Sequence, residues 1–103
     1  MTDARLVVAA QITEKQWQKT VCDMLDTFGW QWHHARRPLW DKRGLPDLIA
    51  ARGTRLLFIE LKSMTGKIRP EQAEWIDVLR ATGQVEVYVL RPCDGDYVER
   101  LLK

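Results

Sequence analysis

Two carboxylates and an amine stand where one metal-assisted reaction could use all three. Asp47 lies in Gly44-Leu45-Pro46-Asp47-Leu48-Ile49, and Glu60 and Lys62 lie in the next apolar run. Hard oxygen ligands of this kind hold Mg²⁺ or Mn²⁺, and an ammonium beside them offsets charge developing on a phosphodiester. A Glu-x-Lys on a strand is usually only a solvated face, and Pro-Asp alone is usually a turn. Their order, with a hairpin between them, raises them above that reading. The predicted chemistry is phosphodiester hydrolysis.

The elements around these residues must bring them together. In Arg55-Leu56-Leu57-Phe58-Ile59-Glu60-Leu61-Lys62 successive side chains alternate faces. Leu57, Ile59 and Leu61 share one face, while Leu56, Phe58, Glu60 and Lys62 share the other. Glu60 and Lys62 therefore project together, roughly 6.6 Å apart by strand rise. Asp47 opens the preceding run to Arg52, and Gly53-Thr54 suits an antiparallel connection. Pairing Arg52 with Arg55 across that turn places Asp47 opposite Glu60.

The remaining pattern supplies the scaffold. Thr13-Glu14-Lys15-Gln16 reads as a capping box, followed by Trp17, Val21, Met24, Leu25 and Phe28 at helical spacing and ended by Gly29. Residues 30–35 alternate like a strand, and 36–45 read as a loop. Pro70 opens a second helix with an apolar stripe of Ala73, Ile76 and Leu79, to which Trp75 and Val78 are further candidates; Gly83 ends it. Residues 84–90 alternate again, with Val85, Val87 and Val89 on one face. Asp94 or Asp96 caps a last helix carrying Val98, Leu101 and Leu102. Residues 1–11 show no clear period and read as a flexible arm before a single domain over 12–103. The order is α-β-β-β-α-β-α, which by pattern alone predicts an α/β or α+β sandwich.

Composition sets limits. A chain of 103 residues makes one domain with a modest core, and 46% hydrophobic with 29% charged residues suits a soluble globular protein. The net charge is only +2, so any nucleic-acid affinity must come from local clustering. No run is long enough to span a membrane and no signal-peptide pattern opens the chain, which predicts a cytoplasmic protein without a membrane partner. Cys22 and Cys93 lack metal or redox spacing and read as buried thiols in a reducing compartment.

Basic residues are densest just before the carboxylates. Arg36, Arg37, Lys42 and Arg43 suit phosphate contacts, and Trp40 among them could stack on an unpaired base. The alternative is a solvated loop with Trp40 as a packing anchor. Lys67 and Arg69 could extend the phosphate track, though charges near a turn are more often just solvated. His33 and His34 are adjacent, so on a strand they face opposite ways, which argues against zinc. Five tryptophans in so short a chain point to core and subunit-interface roles rather than to chemistry.

Pro46-Asp47 followed by Glu60-Leu61-Lys62 resembles the signature of the PD-(D/E)xK nuclease superfamily. Gly44-Leu45-Pro46-Asp47-Leu48, Phe58-Ile59-Glu60-Leu61-Lys62-Ser63, Arg69-Pro70-Glu71-Gln72 and Val87-Tyr88-Val89-Leu90-Arg91-Pro92 are, in that order, similar to its VRR-NUC branch, which includes small stand-alone phage and bacterial proteins. The resemblance covers about Ile12 to Leu102. It implies a restriction-endonuclease-like core, a mixed sheet flanked by helices. It also implies a structure-selective DNA endonuclease dependent on Mg²⁺ or Mn²⁺, acting on branched DNA such as Holliday junctions as a homodimer in a bacterial or phage-infected host. Asp47, Glu60, the Leu61 backbone carbonyl and Glu14 would be the metal ligands, with Lys62 as the catalytic amine. Gln18 shares a helix face with Glu14 and competes for its role; an acid in that first turn also simply favours the helix dipole. Gln72 would pack its amide against Lys62 or a phosphate, or be a plain surface residue. One departure is Arg69, where many relatives carry Ser or Thr, so the side-chain cap of the second helix is expected to be missing. The rival readings are a non-catalytic DNA- or partner-binding domain on the same fold, and a general or restriction-type nuclease.

Overall fold

The structure, a computed structural model, describes residues 3–35 and 44–103. Its centre is a four-stranded mixed sheet in the order β1-β2-β3-β4, from β1 (Gln31–His34), β2 (Leu48–Arg52), β3 (Arg55–Leu61) and β4 (Glu86–Leu90). The first three strands are antiparallel neighbours, and β4 joins β3 in parallel. A parallel neighbour cannot be reached by a hairpin, so α3 (Pro70–Ala81) makes the crossover. The expected order holds, with two additions: α1 (Ala4–Gln11) in front, and a 3-10 turn at Pro92–Asp94 before α4 (Gly95–Leu102).

Each helix begins and ends for a local reason. α2 (Glu14–Thr27) starts at the expected capping box: Thr13 Oγ1 accepts from the Gln16 N–H at 3.1 Å, and Gln16 Oε1 accepts from the Thr13 N–H at 2.9 Å. It ends where Gly29 takes a φ of 79°. Arg69 precedes α3 without a side-chain cap, as expected; its backbone N–H donates instead to Gln72 Oε1 at 2.9 Å. Asp94 sits at the cap position of α4, yet its side chain makes no bond into that helix. Its Oδ2 accepts from the Arg91 N–H, closing the 3-10 turn instead.

The core lies on one face of the sheet. Leu48 and Ala50 of β2, Leu57, Ile59 and Leu61 of β3 and Leu90 of β4 pack against Trp17, Val21 and Leu25 of α2 and Val98 and Leu102 of α4. Burying each large aliphatic side chain contributes about 1.5–3 kcal/mol, so this layer dominates the stability. The opposite face carries Phe58, Glu60 and Val87 and is met by α3, whose Gln72 and Ile76 are buried. Within α3 the expected stripe narrows. Val78 is 55% exposed and leaves it, because it falls beyond the arc that Gln72 and Ile76 turn inward.

Two further expectations change. Residues 4–11, which showed no sequence period, are helical, with Asp3 Oδ1 accepting from the Arg5 N–H at the start. The consecutive Leu6, Val7 and Val8 are all exposed and Ala9 is buried, so no amphipathic repeat was there to read. Cys22 is buried as expected, but Cys93 is exposed, because the 3-10 turn points it outward; both are free thiols.

The tryptophan side chains bind distant segments together. Trp17 Nε1 donates to the Leu90 carbonyl at 2.9 Å and Trp30 Nε1 to the Leu102 carbonyl at 2.8 Å. Arg52 and Arg55, the pair flanking the β2–β3 turn, lie over the Trp30 ring and donate to the Leu102 and Leu101 carbonyls at the end of α4. These cations at a helix C-terminus satisfy its open carbonyls and complement its dipole.

Candidate active site

The site is assembled by the hairpin register. Arg52 pairs with Arg55 and Leu48 with Ile59, which carries Asp47 and Glu60 to opposing positions one step further. Gly53 has a φ of 60° in the two-residue connection, a geometry a glycine adopts without strain. Asp47 is then fastened on both sides. Its carbonyl accepts from the Ala35 N–H at 2.8 Å beyond β1, and its Oδ2 accepts from the Leu61 N–H at 2.9 Å on β3.

The segment before Asp47 is held against α3. Gly44 and Pro46 are buried, and Gly44 has a φ of 110°. A Cβ there would run into the Glu71 carbonyl group and come within 2.9 Å of Trp75 Cδ1. Gly44→Ala therefore meets both a backbone penalty and a steric one that backbone atoms cannot relieve. We expect a loss of about 2–4 kcal/mol in urea denaturation, with the Asp47 segment lifted from α3.

Glu60 is the focus. It is 1% exposed, and its Oε1 accepts from Gln72 Nε2 at 2.9 Å, with Lys62 Nζ 3.8 Å away. Its Oε2 is buried with no hydrogen-bond partner among the described residues. Burial, then the charge of Asp47, push the Glu60 carboxyl up to about 8, against the opposing pull of Lys62; the Asp47 side chain beside it and, more weakly, the charge of Glu14 push the same way. Two carboxylates this close, one with a buried and unsatisfied oxygen, are a donor set for a hard divalent cation. The residues fit such an ion.

Held by the fold without a cation, Glu60 has a predictable cost. Its folded value lies above the unfolded one, so its contribution to stability is full below about pH 4.5 and is lost as pH rises towards about 8. Glu60→Gln keeps an acceptor for Gln72 and removes the charge. In chelator the variant should exceed wild type by on the order of 2 kcal/mol at pH 8.5 and by little at pH 4.5. Urea titrations at the two pH values check this, and equal differences at both would refute it.

The other expected site residues divide. Gln72 is buried at the site, but its amide donates to Glu60 and its oxygen accepts from the Arg69 N–H, rather than meeting Lys62. Glu14 opens α2, is exposed, and reaches the site as a charge felt by Glu60. Gln18 is half-buried one turn on. Among the described residues no three His, Cys, Asp or Glu side chains converge on one point, so Glu14 does not complete a three-acid cluster with Asp47 and Glu60. Lys67 is exposed, and Arg69, also exposed, pairs with Glu71 at 3.2 Å. His33 is exposed and His34 half-buried, on opposite faces of β1. Arg36, Arg37, Trp40, Lys42 and Arg43 lie outside the described residues.

Two residues near the site had no role in the sequence reading. Gly44 was visible only as part of a motif, and its positive φ and close approach to α3 have no local signature. Arg91 stood at the end of the Val87–Pro92 motif without an assigned partner. Its guanidinium bonds the turn that follows Lys62.

Comparison with known proteins bears on the family and the fold. The VRR-NUC domain family model matches residues 13–92. A solved structure described as a VRR_NUC domain superposes with a TM-score of 0.70 at 23% identity, covering 88% of this chain and 96% of its own. A second, described as a VRR_NUC domain protein, gives 0.64 at 27% identity, covering 88% of this chain and 85% of its own. A comparison with curated proteins returned no match. No helix among the described residues is long and apolar enough to cross a membrane. The chain, with its mixed sheet and its Asp47, Glu60 and Lys62 brought together at one end of β2 and β3, belongs to the VRR-NUC domain family.

Proposed function

We propose that this protein is a divalent-metal-dependent DNA endonuclease selective for branched DNA, four-way junctions above all. The observation that carries the reading is the buried Glu60 with its partnerless Oε2 beside Asp47 and Lys62. A domain that only bound DNA would gain nothing from placing two carboxylates next to phosphate.

Asp47, Glu60 and the Leu61 carbonyl would hold Mg²⁺ or Mn²⁺, with Glu14, at the start of α2, adding its charge from outside that set or meeting a water on the ion. A cation there supplies Lewis-acid stabilisation of phosphate charge and eases deprotonation of water. The chain's own groups do the rest. Gln72 fixes Glu60 through Oε1, and Oε2, which has no partner among the described residues, would be the oxygen left to serve an ion. Lys62 orients the attacking water and offsets charge growing on the phosphate oxygens. Lys67, Arg69 and the basic stretch of Arg36, Arg37, Trp40, Lys42 and Arg43 would track the DNA backbone, with Trp40 against an unpaired base.

One compact site cuts one strand, so paired nicks call for two subunits, and we propose a homodimer. The reducing cytoplasm of a bacterium or an infected host is the setting this reading expects. The test is cleavage of linear duplex, flap, splayed and four-way DNA with Mg²⁺, Mn²⁺ or EDTA, alongside sedimentation of the protein with and without a junction. Metal-dependent cleavage of the junction by a dimer is expected. Binding without cleavage in every metal would leave a binding module. A monomer that nicks duplex as fast as a junction would reduce the reading to a general nuclease.

A further inference from the structure

Lys62 follows the last residue of β3 towards the site, and its backbone is already fixed: the Lys62 N–H donates to the Leu90 carbonyl at 3.2 Å, the same oxygen that Trp17 Nε1 bonds. The residue after β4, Arg91, reaches past that contact. Its Nη1 donates at 2.6 Å to the carbonyls of both Ser63 and Gly66, clamping the turn that follows Lys62. Inside the turn the Gly66 N–H donates to Ser63 Oγ at 3.0 Å.

The clamped turn touches the lysine itself. A Cβ built on Gly66 would lie 3.4 Å from Lys62 Cδ, so the backbone at Gly66 runs alongside the Lys62 stem. The Lys62 side chain is 11% exposed. A four-carbon stem left free carries close to 2 kcal/mol of rotamer entropy, and a misplacement of an ångström at a reacting group costs on the order of 10²-fold in rate. Arg91 is itself braced, because Asp94 Oδ2 accepts from its backbone N–H at 2.8 Å.

We infer that Arg91 is a positioning residue for Lys62: by clamping the Ser63 and Gly66 carbonyls it closes the turn against the Lys62 stem and aims the ammonium at the site. This rests on the nuclease reading for its effect on rate, but not for its effect on the lysine. The alternative for a cation so near the site is direct contact with a phosphate, and the two roles separate experimentally.

The first measurement needs no activity. Reductive methylation of the folded protein, read by peptide mass spectrometry, should label Lys62 several-fold faster in Arg91→Ala than in wild type, with other lysines unchanged. The second is kinetic. Arg91→Ala should lower kcat on the order of 10-fold, with the dissociation constant for DNA and its salt dependence unchanged. In a Lys62→Ala background the same substitution should cost little further, because the two act as a unit. Arg91→Lys should restore much of the rate, since one nitrogen makes both bonds. If Arg91→Ala has no folding transition, Arg91→Met keeps the apolar stem and removes only the donors. Unchanged Lys62 labelling overturns the inference, and so does a weaker DNA affinity with a salt slope reduced by about one unit, the mark of a lost phosphate contact. If wild type cleaves no DNA, the nuclease reading fails and the labelling alone decides for or against the clamp.

Discussion

Asp47→Asn and Glu60→Gln are each expected to take cleavage below detection while leaving DNA binding intact or tighter. Each removes one anionic oxygen donor from a pair the fold holds together, and a hard divalent cation draws most of its affinity from such charges. Neither change should unfold the protein. The amide of Asp47→Asn retains a carbonyl oxygen for the Leu61 N–H that Asp47 Oδ2 now accepts, and the amide of Glu60→Gln retains an acceptor for Gln72. Binding should hold or improve because negative charge beside phosphate is lost. The combination is diagnostic for Glu60: activity disappears in the variant that also gains stability in chelator, as expected of a group kept for chemistry at the expense of the fold. Gel-shift and cleavage assays on the same junction check it. Full turnover by either variant, or by wild type in EDTA, would sink the metal mechanism.

Lys62→Ala should retain Mn²⁺ binding and lose turnover on the order of 10²-fold or more, the scale for losing one oriented electrostatic group. The two carboxylates remain, and the ammonium stands 3.8 Å from Glu60 Oε1, too far to be its hydrogen-bond partner. Calorimetric titration with Mn²⁺ separates chemistry from structure. If the variant no longer binds the ion, Lys62 serves the carboxylates rather than the reaction.

The features that were legible in the sequence share a property: each is a short-range count. Asp47 opposite Glu60 follows from a two-residue connection between Arg52 and Arg55, and the Thr13–Gln16 cap follows from a spacing of three. The family motifs added the mixed sheet, because the parallel partnership of β3 and β4 spans α3 and leaves no local trace. What escaped was decided by tertiary packing. The resemblance named Gln72 as a site residue but not its partner: it turns to Glu60 because α3 lies on that face of the sheet. Arg91 bonds a turn some distance back along the chain. Val78 looked apolar enough for the stripe of α3 and is exposed, while α1 formed without any period at all.

The Gly53-Thr54 connection has a consequence for how this protein can vary. Its residues contact neither carboxylate, yet the turn works as a ruler: the number of residues it contains determines which side chain of β3 stands across from Asp47. Thr54 is exposed and can change identity cheaply. A single inserted residue absorbed by sliding β2 against β3 would trade the Asp47–Glu60 opposition for one between Asp47 and the core residue Ile59, and would turn the apolar face of β2 away from the core. The site is therefore tolerant of spelling and intolerant of length at a place remote from its chemistry. A screen restricted to substitutions would score Thr54 as neutral and Gly53 as sensitive only through the strain of its positive φ, whereas one that included insertions and deletions would find both among the most sensitive positions in the chain.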